Sequence, residues 1–579
     1  MSSIQQLLTD HIGIWASAET EKKSGRGRAS GNAASVYGIK KLRELILELA
    51  VRGKLVSQDA NDEPASELFN RLCAEKAQLI AKGEIKFGKP QSVISSGEKP
   101  FPLPVAWKWI RLGDFALSII SGGTPSKNNS EFWNGDIPWA SVKDLNGEKF
   151  IGSTEDYITK SGLEAGSKLA NIGDLLICTR MGLGKIAIAA VDVAINQDLK
   201  ALKLSPLIDI DYFINFYSTL KIVGSGMTVA GIKQDELLGY CIPTPPLAEQ
   251  HRIVAKVDEL MALCDQLESQ HSNAADAHGR LVCHLLNTLT QSESATDFDS
   301  SWQRIAGHFD TLFTTESSID SLKQTLLQLA VMGKLVESDA NDEPAIELLR
   351  KIQVEKARLV SEGALKKNKP LPAICDEEKP FELPSCWEWA RFPELGEFGR
   401  GKSKHRPRND PKLFDPPIHA LVQTGEVARA KSVITEYHSK YSELGLAQSK
   451  KWPVGTLCIT IAANIADSAL LGFEACFPDS VVGFVPCKPI EDARYFLAFM
   501  KTARQNLLKF APATAQKNIN LEILESVLIP IPPRAEMDRI VAKIEELMRM
   551  CDQIKGELGN MGRVRQKIAD AIVEYAVVA

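Results

Sequence analysis

Two stretches of the chain set apolar side chains at alternating spacings of four and three. The first places Ile253, Val257, Leu260, Cys264 and Leu267 on one helical stripe. The second places Ile540, Ile544, Leu547, Cys551 and Ile554 likewise, and continues through Leu558, Met561, Ile568, Ile572 and Tyr575. This is the a/d seam of helices that pair along their length. A Pro-Pro stop precedes each stretch, at 245–246 and 532–533. Each helix, if continuous for about 45 residues, would be roughly 65 Å long at about 1.5 Å per residue, a rod able to hold two other bodies apart.

A further helix is predicted to begin at Pro64, and another at Pro344. In DANDEPASEL an Asp or Glu can accept from the free N–H groups of a first helical turn, while Pro64, or Pro344 in the second occurrence, sits where its missing donor costs nothing. Between these helices and the seams, over about 105–245 and 385–532, lie short β-rich runs bounded by Gly and Pro with one helix near the end. Such runs predict small α/β modules.

The heptapeptide DANDEPA occurs at 59–65 and again at 339–345. It belongs to a longer repeat: LRELILELAVRGKLVSQDANDEPASELFNRLCAEKAQLI (42–80) matches LKQTLLQLAVMGKLVESDANDEPAIELLRKIQVEKARLV (322–360) without a gap. The register holds through EKPFPLPVAWKW (98–109) and EKPFELPSCWEW (378–389). A second block, PTPPLAEQHRIVAKVDELMALCDQLE (243–268), returns as PIPPRAEMDRIVAKIEELMRMCDQIK (530–555). The chain is therefore a tandem duplication of a unit of about 280 residues, too long a period for a solenoid. The β-rich segments agree at their edges and differ in their middles. SGGTPSKNNSEFWNGDIPWASVKDL (121–145) has no clear partner in the second copy, which offers GRGKSKHRPRNDP (399–411) instead.

Composition narrows the classes. The 579 residues, 44% hydrophobic and 24% charged, describe an ordinary globular protein of several domains. No apolar run is long enough to span a bilayer and the start MSSIQQLLTDHIGIW lacks the regions of a signal peptide, so the expected location is the cytoplasm, without a membrane partner. The 11 cysteines include no CxxC pair, which argues against zinc ribbons and disulfide frameworks. A net charge of −5 excludes a general basic coat but permits a local basic face.

The residues resemble the specificity subunits of type I restriction-modification systems. SGGTPS followed by DIPWASVKDL, and the module end IPTPPLAEQHRIVAKV echoed by IPIPPRAEMDRIVAKI, carry the resemblance over nearly the whole chain. The N-terminal block with GKLV and DANDEPA looks like the type IB branch. The second copy departs from the pattern: Glu536-Met537 replaces the usual Glu-Gln, and SGGTPS is missing. The resemblance implies two target recognition domains, each reading half of a split site in double-stranded DNA, with an antiparallel coiled coil between them. Its pseudo-twofold symmetry would accept two modification subunits. It also implies that catalysis belongs to partners: modification subunits using S-adenosylmethionine to methylate adenine N6, and restriction subunits driven by ATP with Mg2+, with no cofactor and no metal in this chain.

Candidate DNA contacts follow from charge and turn chemistry. Arg400, Lys402, Lys404, Arg406 and Arg408 alternate with small or ring residues without an acid, a phosphate-tracking strip or a groove-entering loop. In the first module the Gly122-Gly123 turn exposes backbone N–H groups and brings Ser121, Gly123, Thr124, Ser126 and Lys127 toward phosphate or base edges. Arg180 and Lys185 of TRMGLGK, Lys143 of DIPWASVKDL, and Lys517 and Asn518 in the second module join the set. Lys233 and Gln234 stand just before the coil, where a Gln can bond bidentately to adenine. The plain alternatives are a solvated basic loop and ordinary surface charge.

Enzymatic motifs fail on inspection. DPPI (415–418) lacks the aromatic that adenine methyltransferases stack on a flipped base. GEFGRG (396–401) has no clear strand before it and reads as a turn, and GxxxxGK[ST] and HExxH do not occur. The predicted fold is α+β, two α/β target recognition domains separated by a long antiparallel helical coiled coil. Its predicted parts are a flexible N-terminal segment (1–36), a helical region (37–104), recognition domain 1 (105–245), a central helical region (246–384), recognition domain 2 (385–532) and a C-terminal helix (533–579). The competing class is a helical scaffold whose two globular modules bind proteins.

Overall fold

In the computed structural model, which describes residues 10–17, 36–85, 92–222, 224, 231–366, 371–462, 465–509 and 519–578, the apolar stripes build two units. One comprises 1–274 with 561–579, the other 275–560. The seam helices are Leu247–Thr290 and Arg534–Val578, so each gives one stretch to each unit. In the first unit, Ile253, Val257, Leu260 and Cys264 share a core with Ile39, Leu42 and Ile46 of the helix Tyr37–Val51 and with Ala569. In the second unit, Val282, Leu286 and Leu289 share a core with Ile319, Leu322 and Leu326 of the helix Glu316–Val331 and with Cys551. In each unit both seam helices contribute to one shared core.

One part of the predicted seam is wrong. Met561, Ile568 and Tyr575 are exposed, and the buried positions there are Ala569 with the partly buried Ile572, Val573, Ala576 and Val577. The segment read as a flexible tail contains the helix Ile12–Ser17, whose Trp15 is fully buried in the core of the first unit.

The heptapeptide does not cap its helix. The helices begin at Ala65 and Ala345, one residue later than predicted, with no side-chain cap. Their first N–H groups donate instead to the carbonyls of Ala106 and Cys386, both at 2.9 Å, which leaves the acids free for other work. Asp62 takes the guanidinium of Arg252 at 2.5 Å and Asp342 takes that of Arg539 at 2.7 Å. Each heptapeptide thus clamps its own repeat to the start of a seam helix, and each clamp lies within one unit.

The same economy explains GKLV. Gly53 and Gly333 follow their helices at φ +68 and +73, a conformation glycine adopts at no cost, and a Cβ on either would meet the proline ring of Pro104 or Pro384 at 2.6 Å. Asp342→Ala removes a half-buried carboxylate from a charged hydrogen bond and is expected to lower the unfolding free energy by about 1–2 kcal/mol. Urea unfolding checks it, and an unchanged midpoint would show that the clamp adds no stability.

The two modules share one topology. In the first, a five-stranded sheet runs Ala116–Ser121, Leu199–Leu204, Leu175–Cys178, Ile186–Ala189, Phe150–Ile151, beside a four-stranded sheet Asp156–Ile158, Trp133–Ala140, Val193–Ile195, Lys168–Ala170. The second repeats both orders: Gly396–Arg400, Val481–Pro486, Leu457–Thr460, Ser468–Leu471, Val433–Ile434, and Ser439–Tyr441, His419–Leu421, Ala475–Cys476, Lys451–Trp452. A separate antiparallel pair closes the base of each module, Lys108–Arg111 with Cys241–Thr244, and Glu388–Arg391 with Leu528–Ile531. GEFGRG is therefore no turn: its first five residues form a strand, paired along its length with Val482–Pro486. Alternation is weak in GEFGR because two of its positions are glycine.

Candidate nucleic-acid interface

Gly122 and Gly401 occupy the same point of the topology. Each follows the first strand of its five-stranded sheet, and each N–H donates to the carbonyl that opens the next strand, Leu199 at 3.4 Å and Val481 at 2.9 Å. A Cβ on Gly122 would overlap the carbonyl oxygens of Ile195 and Asn196, and one on Gly401 those of Phe477 and Pro478. GGTPSKNN and GKSKHRPRND are thus equivalent loops, although their sequences show no match. Both end in a capped 3-10 turn: Asn129 accepts from the N–H of Glu131 at 3.1 Å, and Asp410 from that of Lys412 at 3.0 Å. The Lys412 N–H and then the bond to His405 hold the Asp410 carboxyl below its ordinary range.

In the first module this loop is hung on two indoles. Trp139 Nε1 donates to Gly123 O at 3.2 Å and Trp133 Nε1 to Ser126 O at 3.1 Å, with the rings edge-to-face at 5.1 Å. That contact ties the SGGTPS turn to DIPW. Thr124 donates to Gln197, and Ser121 accepts from Lys200, whose ammonium is pushed down by burial. Lys127 remains exposed at the loop tip.

The other first-module candidates gather at the same sheet end. Ser121 lies opposite Lys200 and Leu199 opposite Cys178. Arg180 approaches Asp198 at 3.7 Å and bridges to Gly231 through the backbone. Ile232 N–H donates to Thr179 O at 3.0 Å, which carries Lys233 and Gln234 to this edge as the start of the short helix Gln234–Leu238. Lys185 Nζ donates to Val142 O at 3.1 Å, next to Lys143, which faces Glu155 at 3.7 Å.

In the second module the five cations lie on the end of the strand Gly396–Arg400 and the loop that follows. Lys404 N–H and His405 N–H donate to Gln448 Oε1 at 2.6 and 3.2 Å, and His405 pairs with Asp410 at 2.8 Å. Lys517 and Asn518 lie outside the described residues. The sequence reading missed Trp133, Trp139, Gln197, Lys200, Gln448 and Asp479. Of these, only the tryptophans lay within a stretch the sequence reading singled out, SGGTPSKNNSEFWNGDIPWASVKDL at 121–145. Among the described residues no group of His, Cys, Asp and Glu is placed to hold a metal ion, and no helix is long and apolar enough to cross a membrane.

The family model for the type I restriction modification DNA specificity domain matches residues 104–276 and 384–560, once per copy. The chain belongs to this family of DNA-specificity proteins. Relatives extend over its full length. The Escherichia coli type I restriction enzyme EcoEI specificity subunit is 36% identical over 606 aligned positions, covering 99% of this chain and 100% of the relative. The EcoAI specificity subunit of the same organism is 38% identical over 611, with 99% and 100% covered. Among solved structures, the HsdS subunit from Thermoanaerobacter tengcongensis aligns over 83% of this chain and 98% of its own at 17% identity, with a TM-score of 0.39.

Proposed function

We propose that the two modules each read one half of a bipartite site in duplex DNA through the loops at 121–127 and 400–408, and that the chain brings modification subunits to that site. The observation that carries this reading is one topology present twice, with unlike loops hung at the same glycine. A scaffold alone gains nothing from diversifying a loop while keeping its anchors. Residues 105–245 and 385–532 are the reading domains in this proposal, and the repeated helical regions 37–104, 246–384 and 533–579 receive two modification subunits, with restriction subunits joining the larger assembly in the cytoplasm. S-adenosylmethionine, ATP and Mg2+ act in those partners. The N-terminal block carrying GKLV and DANDEPA supports the type IB branch. The chain contributes specificity and no reaction of its own.

Titration of the purified chain with duplex DNA tests the reading. Binding should persist against nonspecific competitor and weaken linearly in log–log with salt, as phosphate contacts release counterions. Binding to proteins alone, with no salt-dependent affinity for DNA, would favour the scaffold.

A further inference from the structure

The five cations of the second loop are not equivalent. Arg400, Lys402 and Lys404 have no ion pair among the described residues, while Arg406 Nη1 is turned onto the carbonyls of Ser403 and His405 at 2.7 and 2.8 Å. Arg408 alone is held by a carboxylate: its Nη2 donates to Asp479 Oδ2 at 2.8 Å, with the Arg side chain 55% exposed and the Asp 38%. We propose that Arg408, buttressed by Asp479, is a base-reading residue of the second module and recognises the major-groove edge of a guanine. This rests on the reading that the loop meets DNA.

Charge decides between phosphate and base. A phosphate approaching Arg408 meets Asp479 as well, so the attraction that makes a free Lys or Arg a good phosphate ligand is largely cancelled. A guanine edge is neutral and offers two acceptors, O6 and N7, which the remaining N–H groups of a guanidinium match as a fork. The carboxylate also fixes the fork before binding, so less freedom is lost on contact. Lys402 and Lys404, without an ion pair among the described residues, suit the backbone, where a point charge on a flexible stem is enough.

The position of Asp479 supports the assignment independently. Asp479 and Gln197 stand at the same place in the turn that leads into the strands Val481–Pro486 and Leu199–Leu204. Both reach back to the variable loop, Asp479 to Arg408 and Gln197 to Thr124. One turn position therefore holds a loop side chain in each module, and its identity changes together with the side chain it holds. Thr124 is no fork, so this turn position holds a guanidinium in the second module and a hydroxyl in the first.

The test uses the full chain assembled with its modification subunits. Methylated sites are mapped first, and cognate duplexes with each base pair replaced in turn are then titrated with wild type, R408K, R408A, D479N and the double variant K402A/K404A. R408K keeps the charge and loses the fork. R408K and R408A should both relax one guanine position in one half-site, with discrimination falling roughly 5- to 150-fold, the worth of one bidentate base pair contact. D479N should relax the same position in part. The salt slope should stay nearly constant for R408A and fall by about one unit per lost contact in K402A/K404A, whose base preferences should remain. Retention of every guanine preference by R408K overturns the proposal. So does a slope lowered by about one unit in R408A with preferences intact, the mark of a phosphate contact. If K402A/K404A and the Arg408 variants all bind as wild type does, the loop does not meet DNA, and the underlying reading fails together with the proposal.

Discussion

Ala569→Asp is expected to prevent stable folding, whereas Ile568→Asp, one residue earlier, is expected to leave the chain folded. Ala569 is fully buried in the core of the first unit, together with Trp15, Ile39 and Cys264, while Ile568 is 39% exposed. A carboxylate placed at 569 is cut off from water in an apolar core and costs several kcal/mol. That is a large share of the roughly 5–15 kcal/mol by which a domain is stable. At 568 the same carboxylate keeps its water. Soluble yield and thermal unfolding by circular dichroism compare the two variants. A folded A569D beside an unfolded I568D would put the buried register back on the extrapolated heptad.

The second large effect is expected from removing Arg400, Lys402 and Lys404 together. Each unpaired cation that contacts a phosphate contributes about 0.9 to the slope of log affinity against log salt, so the triple alanine variant should lose up to about 2.7. The loss of affinity should be greatest at low salt and shrink as salt rises. Sequence preference, if it shifts at all, should shift in one half-site, because the three residues belong to one module. Equal loss of preference in both halves would contradict the division of reading between modules.

The sequence carried the duplication, the β-rich modules and most of the seam, because repeats and periodicity are local in register. It failed where geometry accumulates. A straight helix drifts about 20° per heptad against a strict seven-residue repeat. The four heptads from Ile540 to Ile568 bring that drift close to the 100° between neighbouring residues, so the buried face moves from Ile568 to Ala569. The heptapeptide misled for a different reason: its acids looked like caps, but Ala65 and Ala345 donate to distant carbonyls, and the partners Arg252 and Arg539 lie far along the chain. The equivalence of GGTPSKNN and GKSKHRPRND was invisible because neither loop is specified by its own residues. The carbonyls of Ile195, which ends a strand of the first four-stranded sheet, and of Phe477, which follows the equivalent strand Ala475–Cys476, demand the glycine, and everything after it was free to diverge.

The shared topology makes the central claim directly testable by exchange. The strand pairs Lys108–Arg111 with Cys241–Thr244 and Glu388–Arg391 with Leu528–Ile531 close the two modules in the same way. Residues 392–527 can therefore be replaced by residues 112–240 without cutting a core strand. Cells carrying this chimera with the modification subunits are then mapped genome-wide for methylated adenine. If each module reads one half-site, the map shows a new site built from two copies of the half read by the first module, and the half read by the second disappears. A folded, assembled chimera that still methylates the original site would show that sequence is read elsewhere in the complex.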